Sequence, residues 1–175
     1  MNFKLILITA LFLGNMALYD FNIYSNTNDW YIVDDVVMGG RSNGNFDINS
    51  EGHGLFSGTV SLENNGGFSS VRHQFKPKDV SDFSKIKLRI KGDGSTYQFR
   101  VKTDRRDYAS YIYEFKTVDD WMTVEIPFSE MYPSFRGRRL NQPNFSGEYI
   151  AEVAFLIGNK KAQDFKLLID KIELE

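Results

Sequence analysis

From Tyr19 onward the sequence alternates apolar and polar residues with a period of two almost without interruption. Successive side chains of a β-strand point to opposite faces, so this alternation is typical of strands with one buried and one solvated face. The clearest runs are residues 46–48, 56–62, 86–90, 97–101, 111–115, 122–126, 153–157 and 165–169. No segment keeps apolar residues at i, i+3, i+4 and i+7 for three turns, which argues against a long amphipathic helix.

Glycine-rich turns separate these runs, as at Gly39–Gly40, Gly66–Gly67 and Gly92–Gly94. Many short strands at this spacing predict an antiparallel β-sandwich or barrel. The chain shows no internal repeat and no linker, and a chain of 175 residues buries enough surface to need no metal or disulfide. We therefore expect one all-β sandwich domain over residues 19–175.

Composition excludes several function classes. The chain has no cysteine and two histidines, which excludes disulfides, thiolate nucleophiles and cysteine-ligated zinc. A net charge of −2 argues against a nucleic-acid partner. Gly40–Gly44 matches the G-x-S-x-G pattern of hydrolases, but a strand-like run rather than a helix follows it, which favours a turn. No carboxylate pair has glycosidase spacing, and we expect no enzymatic activity.

Residues 1–18 have the features of a signal peptide. Lys4 supplies the positive charge, Leu5–Leu13 the apolar run, and Gly14 and Ala17 the small residues before a cleavage site. The apolar run is too short to cross a bilayer comfortably, so no stable membrane span is expected after removal. This predicts a periplasmic or secreted protein. The alternative is an uncleaved anchor or a first buried strand, with a cytoplasmic or membrane-associated location.

Four aspartates in predicted turns and strand ends are compatible with a structural calcium ion, because carboxylate oxygens are ligands that Ca²⁺ prefers. They are Asp34, Asp35, Asp47 and Asp170. Ordinary turn capping accounts for the same residues, and we predict no cofactor.

Basic and amide side chains fall on the predicted solvated faces of three strands. The alternation places Arg72, Arg89 and Arg100 off the core face, with Gln98 beside Arg100. The turn at Gly92–Gly94 predicts a hairpin that makes the strands of Arg89 and Arg100 neighbours. A ladder of guanidinium and amide groups can bind carboxylates, phosphates or sugar hydroxyls. The alternative is an ordinary solvated sheet face.

Three ring-bearing residues have two interpretations. His73 falls on the apolar face and is predicted to be a core histidine rather than a ligand. Trp30 and Trp121 lie beside strand-like runs, where a tryptophan is more often part of the core than a stacking platform for sugars.

Five local strings occur in a characteristic order along the chain. They are VDDVVMGGRS at 33–42, FSGTVSLENNGGFSSVR at 56–72, KGDG at 91–94, Trp121 with Pro127–Phe128, and SFRGR at 134–138. Together they resemble the complex I intermediate-associated protein family, over about residues 30–172. The resemblance implies a galactose-binding-like jelly-roll sandwich with a non-catalytic role. Eukaryotic members of that family are mitochondrial assembly chaperones for respiratory complex I.

The resemblance implies a binding module whose ligand is a protein surface, such as an assembly intermediate or an unfolded protein. The export-like N-terminus suggests a bacterial relative, and a carbohydrate-binding module of an envelope or secreted protein is the alternative. Two glycine-rich strings carry Asn65 and Arg136 in loops, where function is concentrated. The candidate ligand- or partner-binding residues are Asn65, Arg72, Arg89, Gln98, Arg100 and Arg136.

Overall fold

Two antiparallel sheets pack face to face in the computed structural model, which describes residues 14–175 apart from the side chains of Val37 and Met38. In chain order the strands are β1 (Met16–Asp20), β2 (Trp30–Asp34), β3 (Asn43–Ile48), β4 (Gly54–Val60), β5 (Ser69–Asp79), β6 (Lys85–Lys91), β7 (Thr96–Lys102), β8 (Ser110–Lys116), β9 (Met122–Pro127), β10 (Tyr132–Phe135), β11 (Arg138–Arg139), β12 (Tyr149–Ile157) and β13 (Gln163–Leu174). Short 3-10 helices span Asp35–Met38, Glu63–Asn65 and Phe128–Glu130.

The two sheets have different strand orders. Sheet A runs β3-β4-β13-β6-β9, and β1 also pairs with β13. Sheet B runs β11-β10-β8-β7-β12-β5-β2. The all-β antiparallel sandwich predicted from the alternation is confirmed. Strands β6 and β7, although consecutive in the chain, belong to different sheets.

The core lies between the sheets and is built from the apolar halves of the alternating runs. Phe99 of β7 and Phe155 of β12 are fully buried and meet edge to face, with ring centroids 5.2 Å apart. Ile86 of β6 is likewise fully buried on the facing sheet. Burial of each such side chain contributes about 1.5–3 kcal/mol to folding, which explains why the alternation determines the inward face.

His73 lies on the inner side of its strand, as predicted, but it is half-buried at the margin of the core. His73 stacks on Trp30 with ring centroids 4.9 Å apart, and its Nδ1 lies 3.2 Å from the carbonyl oxygen of Asp29. Burial lowers the pKa of His73. Trp30 is part of the core, as predicted, with 6% of its surface exposed. For Trp121 the core prediction is wrong, because this side chain lies outside the sandwich against Arg89.

Strand β1 begins inside the segment predicted to be a signal peptide. Met16 and Ala17 pair with Leu174 and Glu173 of β13, and Leu18 is buried with 8% of its surface exposed. The remainder of that segment, residues 1–13, lies outside the described residues, so the signal peptide stays a prediction. Among the residues from Gly14 onward, no helix is long and apolar enough to cross a membrane.

Candidate binding face

A single row of residues crosses the outer face of sheet B. Each member pairs directly with the next on the neighbouring strand, and directly opposed residues of antiparallel strands point to the same side. In order the row is Tyr31, Arg72, Ala154, Arg100, Ile112 and Tyr132. The adjoining rows add Gln74, Gln98, Lys102, Glu114 and Glu152, and we call this set of residues the polar face.

The centre of the polar face is buried. Ile112, Ala154 and Glu152 are only 1%, 2% and 3% exposed, although they point away from the core between the sheets. On a flat solvated sheet such residues would be open to water. The longer side chains around them therefore cover the centre of the polar face.

Glu152 makes several polar contacts at the covered centre of this face. Its Oε2 accepts a hydrogen bond from Gln74 Nε2 at 2.6 Å and from the Tyr31 hydroxyl at 3.3 Å. The Nη1 of Arg72 lies 3.8 Å from Glu152 Oε1. Burial, reinforced by the negative charge of Glu152, raises the pKa of Tyr31 to about 12. This carboxylate is therefore committed to its neighbours, which makes it a poor general base.

Arg100 is the second guanidinium at the centre of this face, and its partners are neutral. Its Nε donates to Gln98 Oε1 at 3.0 Å and its Nη2 donates to the same oxygen, while Gln98 Nε2 donates to Glu114 at 2.7 Å. Across the described residues, Arg100 has no carboxylate within 4 Å. Burial, together with the positive charge of Arg72, lowers the pKa of Arg100 to about 10, so it stays charged at neutral pH.

The hairpin of β10 and β11 borders the polar face at one edge of sheet B. Arg139 lies over the Tyr132 ring, 4.8 Å from its centroid, which is a cation–π contact. The turn residues Arg136 and Gly137 have φ of 48° and 75°, as in a two-residue type I′ hairpin turn. Arg136 is exposed and contacts the Phe135 ring, which puts it at the rim rather than at the centre.

Asn65 lies in the loop before β5, where two of the sequence strings meet at one buried carboxylate. Asp35 is fully buried and accepts hydrogen bonds from the backbone N–H groups of Ser42, Gly67 and Phe68 and from the Ser42 hydroxyl. Burial alone would raise the pKa of Asp35, but these hydrogen bonds hold it below its ordinary value. The carboxylate thus fastens the two loops together.

The same contact explains two glycines and the G-x-S-x-G match. A Cβ at Gly40 or Gly66 would lie 2.2 Å or 2.5 Å from an Asp35 carboxylate oxygen, so both positions need glycine. Ser42 is buried against Asp35 and strand β3 follows it, so the prediction of a turn rather than a nucleophile elbow is confirmed.

The prediction that Arg89 and Arg100 occupy neighbouring strands is wrong. The Gly92–Gly94 segment carries the chain from sheet A to sheet B instead of closing a hairpin. Arg89 lies on the outer face of sheet A, where its Nε is 3.1 Å from Asp170 Oδ2 and its guanidinium lies 5.3 Å from the Trp121 ring centroid. Arg89 is therefore already paired with an acid from β13, and it is separate from the polar face.

The four aspartates considered for calcium do not gather in one place. Asp34 accepts a hydrogen bond from the Gly44 N–H, Asp35 fastens the two loops, and Asp170 contacts Arg89. Within residues 14–175, no group of three or more histidine, aspartate or glutamate side chains is arranged to hold a metal ion. The compatibility with calcium stays a prediction.

Sequence reasoning identified Arg72, Gln98 and Arg100 but did not bring the residues of β2, β10 and β12 to the same face. Glu152 and Ala154 join it because β12 inserts between β5 and β7, whereas Tyr31 and Tyr132 join it because β2 pairs with β5 and β10 pairs with β8. The alternation around Ala154 gave the only available signal, since it places this residue opposite Val153 and Phe155.

Comparison with known sequences finds one family along nearly the whole described chain. The model of the family described as "Complex I intermediate-associated protein 30 (CIA30)" matches residues 19–169. The mitochondrial complex I intermediate-associated protein 30 of Drosophila melanogaster is 25% identical, with 91% of this chain and 62% of the relative aligned. The mouse protein of the same name is 26% identical over 89% of this chain and 55% of its own length. The chain thus spans less than two thirds of these two relatives.

Solved structures support the fold. The family 11 carbohydrate-binding module of Clostridium thermocellum, in complex with a β-1,3-1,4-mixed-linked tetrasaccharide, has a TM-score of 0.65 at 22% identity, covering 92% of this chain and 95% of the module. The agarase AgWH50C has a TM-score of 0.65 at 12% identity, but the match covers only 24% of that enzyme. The predicted jelly-roll β-sandwich class is confirmed.

Proposed function

The chain belongs to the complex I intermediate-associated protein 30 family, and from that premise we propose that it is a non-catalytic module that binds a protein surface during assembly of respiratory complex I. The names of the fly and mouse relatives support this role. The polar face supplies the contact surface, with Arg136 at its rim.

The observation that carries the proposal is the composition and width of the row across sheet B. Tyrosine and arginine are the residue types that concentrate binding energy at protein interfaces. The row has a tyrosine at each end, and five strand spacings of about 4.8 Å separate Tyr31 from Tyr132 by roughly 24 Å. An open face of that width suits a polypeptide segment better than a small substrate. The one carboxylate at its centre, Glu152, is already hydrogen-bonded.

A carbohydrate-binding module is the second candidate. The fold likeness to a module solved with a tetrasaccharide favours it. The guanidinium, amide and phenol groups of the polar face also suit sugar hydroxyls. This function places the ligand on the same face, so the two candidates differ in the partner and not in the surface.

The proposed partner also bears on location. The periplasmic or secreted location expected from residues 1–18 has no support among the relatives, two of which are named as mitochondrial proteins. A role in complex I assembly agrees better with the alternative, a cytoplasmic or membrane-associated protein in contact with the membrane that holds complex I.

A steric variant tests the proposal. Ala154→Trp places a bulky side chain at the centre of the polar face, whereas Thr123→Trp adds the same side chain to the exposed outer face of sheet A as a matched control. Each purified protein is cross-linked to membranes of the organism that carries the chain, and mass spectrometry identifies the cross-linked subunits. We expect complex I subunits with the wild type and with Thr123→Trp, and a loss of at least about tenfold with Ala154→Trp, as for truncation of an interface centre.

A glycan array run on the same three proteins separates the two candidates. Saccharide binding that Ala154→Trp abolishes, without any complex I subunit in the cross-linked set, would replace the assembly role with carbohydrate binding. Equal cross-linking by all three proteins would remove the polar face from the proposal. Circular dichroism and thermal unfolding confirm that each variant is folded.

A further inference from the structure

We propose that the polar face contains a carboxylate-binding site above Ala154, between Arg72 and Arg100, and that its occupant is an aspartate or glutamate side chain of a partner polypeptide. The site itself follows from the arrangement of this chain, and its occupant rests on the proposed function.

The position follows from strand register. Ala154 pairs with Arg72 of β5 on one side and with Arg100 of β7 on the other. Neighbouring strands lie about 4.8 Å apart, so the two arginine backbones flank the alanine at a separation of roughly 10 Å. The alanine methyl group is the smallest side chain of the row, so it separates the two arginines without reaching past them, and its longer neighbours leave it only 2% exposed.

Both guanidinium groups have N–H donors that are not hydrogen-bonded to a carboxylate of the described residues. Two donors of Arg100 converge on one neutral oxygen of Gln98. The Nε of Arg72 is buried without a hydrogen-bond partner among the described residues. The carboxylate nearest to Arg72 belongs to Glu152, at 3.8 Å, and it already accepts from two other groups. A buried cation without a well-placed anion is costly, and an arriving carboxylate that accepts from both arginines relieves that cost.

The local charge selects a singly charged anion. On the polar face Arg72, Arg100 and Lys102 carry three positive charges and Glu114 and Glu152 carry two negative charges, which leaves one positive charge to be balanced. A dianionic phosphate would meet repulsion from Glu152 and from Glu114, whose carboxylate lies beyond Gln98. A single carboxylate balances the site.

The ends of the row favour a polypeptide as the carrier of that carboxylate. Tyr31 and Tyr132 lie roughly 24 Å apart across five strand spacings, which an extended segment of about seven residues spans. An extended segment of this length therefore reaches both tyrosines, and an acidic residue at its middle lies above Ala154.

The experiment uses the whole chain and monitors the arginine Nε–H signals by NMR during titration. The probes are N-acetylglutamate amide, whose only charge is a side-chain carboxylate, and its neutral isostere N-acetylglutamine amide. We expect the acidic probe to shift the Nε–H signals of Arg72 and Arg100 and to leave that of Arg89 unchanged. We expect the double variant Arg72→Gln/Arg100→Gln to bind the acidic probe at least about tenfold more weakly, because it loses the charge-assisted hydrogen bonds to the carboxylate. We expect Arg89→Gln to bind the acidic probe as the wild type does.

Equal shifts of the Arg72 and Arg100 signals with the acidic and the neutral probe, or an equal shift of the Arg89 signal, would overturn the carboxylate site. These signals are measured in the wild type, so the test does not depend on the folding of the double variant. Tighter binding of galacturonate or inorganic phosphate than of the acidic probe would overturn the assignment to a polypeptide. If Ala154→Trp blocks cross-linking to complex I but neither arginine responds to carboxylate, the carboxylate site fails and the proposed function survives. If both arginines respond but Ala154→Trp still cross-links, the proposed function fails and the carboxylate site survives.

Discussion

Replacement of Asp35 should destabilise the fold more than any surface change. The carboxylate is fully buried and accepts from three backbone N–H groups, those of Ser42, Gly67 and Phe68. Asp35→Ala leaves these donors without an acceptor, at about 1 kcal/mol or more each once relaxation is allowed. The expected loss is therefore about 3–5 kcal/mol in the free energy of unfolding. This is a large share of the 5–15 kcal/mol typical of a domain.

Asp35→Asn should lower the free energy of unfolding by about half as much as Asp35→Ala, because the amide keeps one acceptor oxygen but turns its NH₂ group toward a backbone donor. Urea unfolding at pH 7 measures both variants. Asp47→Asn is the matched control, since Asp47 is exposed and accepts only from the adjacent Ile48 N–H. A loss below about 1 kcal/mol for Asp35→Ala would refute the argument, because it would mean that water or local rearrangement satisfies the three donors.

The pH dependence gives a second readout of the same contact. Hydrogen bonds hold the pKa of Asp35 below its ordinary value of 3.8 in the folded state. Its contribution to stability is thus present above the unfolded-state value and is lost as the pH falls through the lower folded-state pKa. The wild type should therefore lose stability on acidification below about pH 4 more steeply than Asp35→Asn. Parallel acid unfolding profiles would contradict this expectation.

Two further predictions concern the backbone. Gly67 has a φ of 140°, which a β-branched residue does not tolerate, so Gly67→Val should lower the free energy of unfolding in urea by about 1–3 kcal/mol. Gly137 lies at a left-handed turn position with open space around it, which asparagine tolerates, so Gly137→Asn should lower it by less than about 1 kcal/mol. A protein without residues 1–18 should be less stable by about 2 kcal/mol than a protein without residues 1–13, because the longer truncation deletes the buried Leu18 and the pairing of Met16. Equal melting temperatures of the two truncated proteins would show that this part of β1 does not contribute to stability.

The sequence alone predicted which side of each strand is buried, and it also predicted the family. Period-two alternation places Phe99 and Phe155 in the core and His73 on the inner side of its strand, because burial of an apolar side chain depends only on which side of the strand it occupies. The ordered strings predicted the jelly-roll class, and they include both ends of the contact that Asp35 makes with Gly67. Neither string revealed the contact itself, because the two loops are separated by strands β3 and β4.

The partner of each strand was decided by the tertiary structure. Backbone ladder hydrogen bonds are nearly independent of side-chain identity, so alternation alone leaves the order of strands open. The chain crosses between sheets at Gly92–Gly94, which separates Arg89 from Arg100 and pairs Arg89 with Asp170. Long-range packing then inserts β12 between β5 and β7, which sets Ala154 between Arg72 and Arg100 and creates the site that no local pattern could have shown.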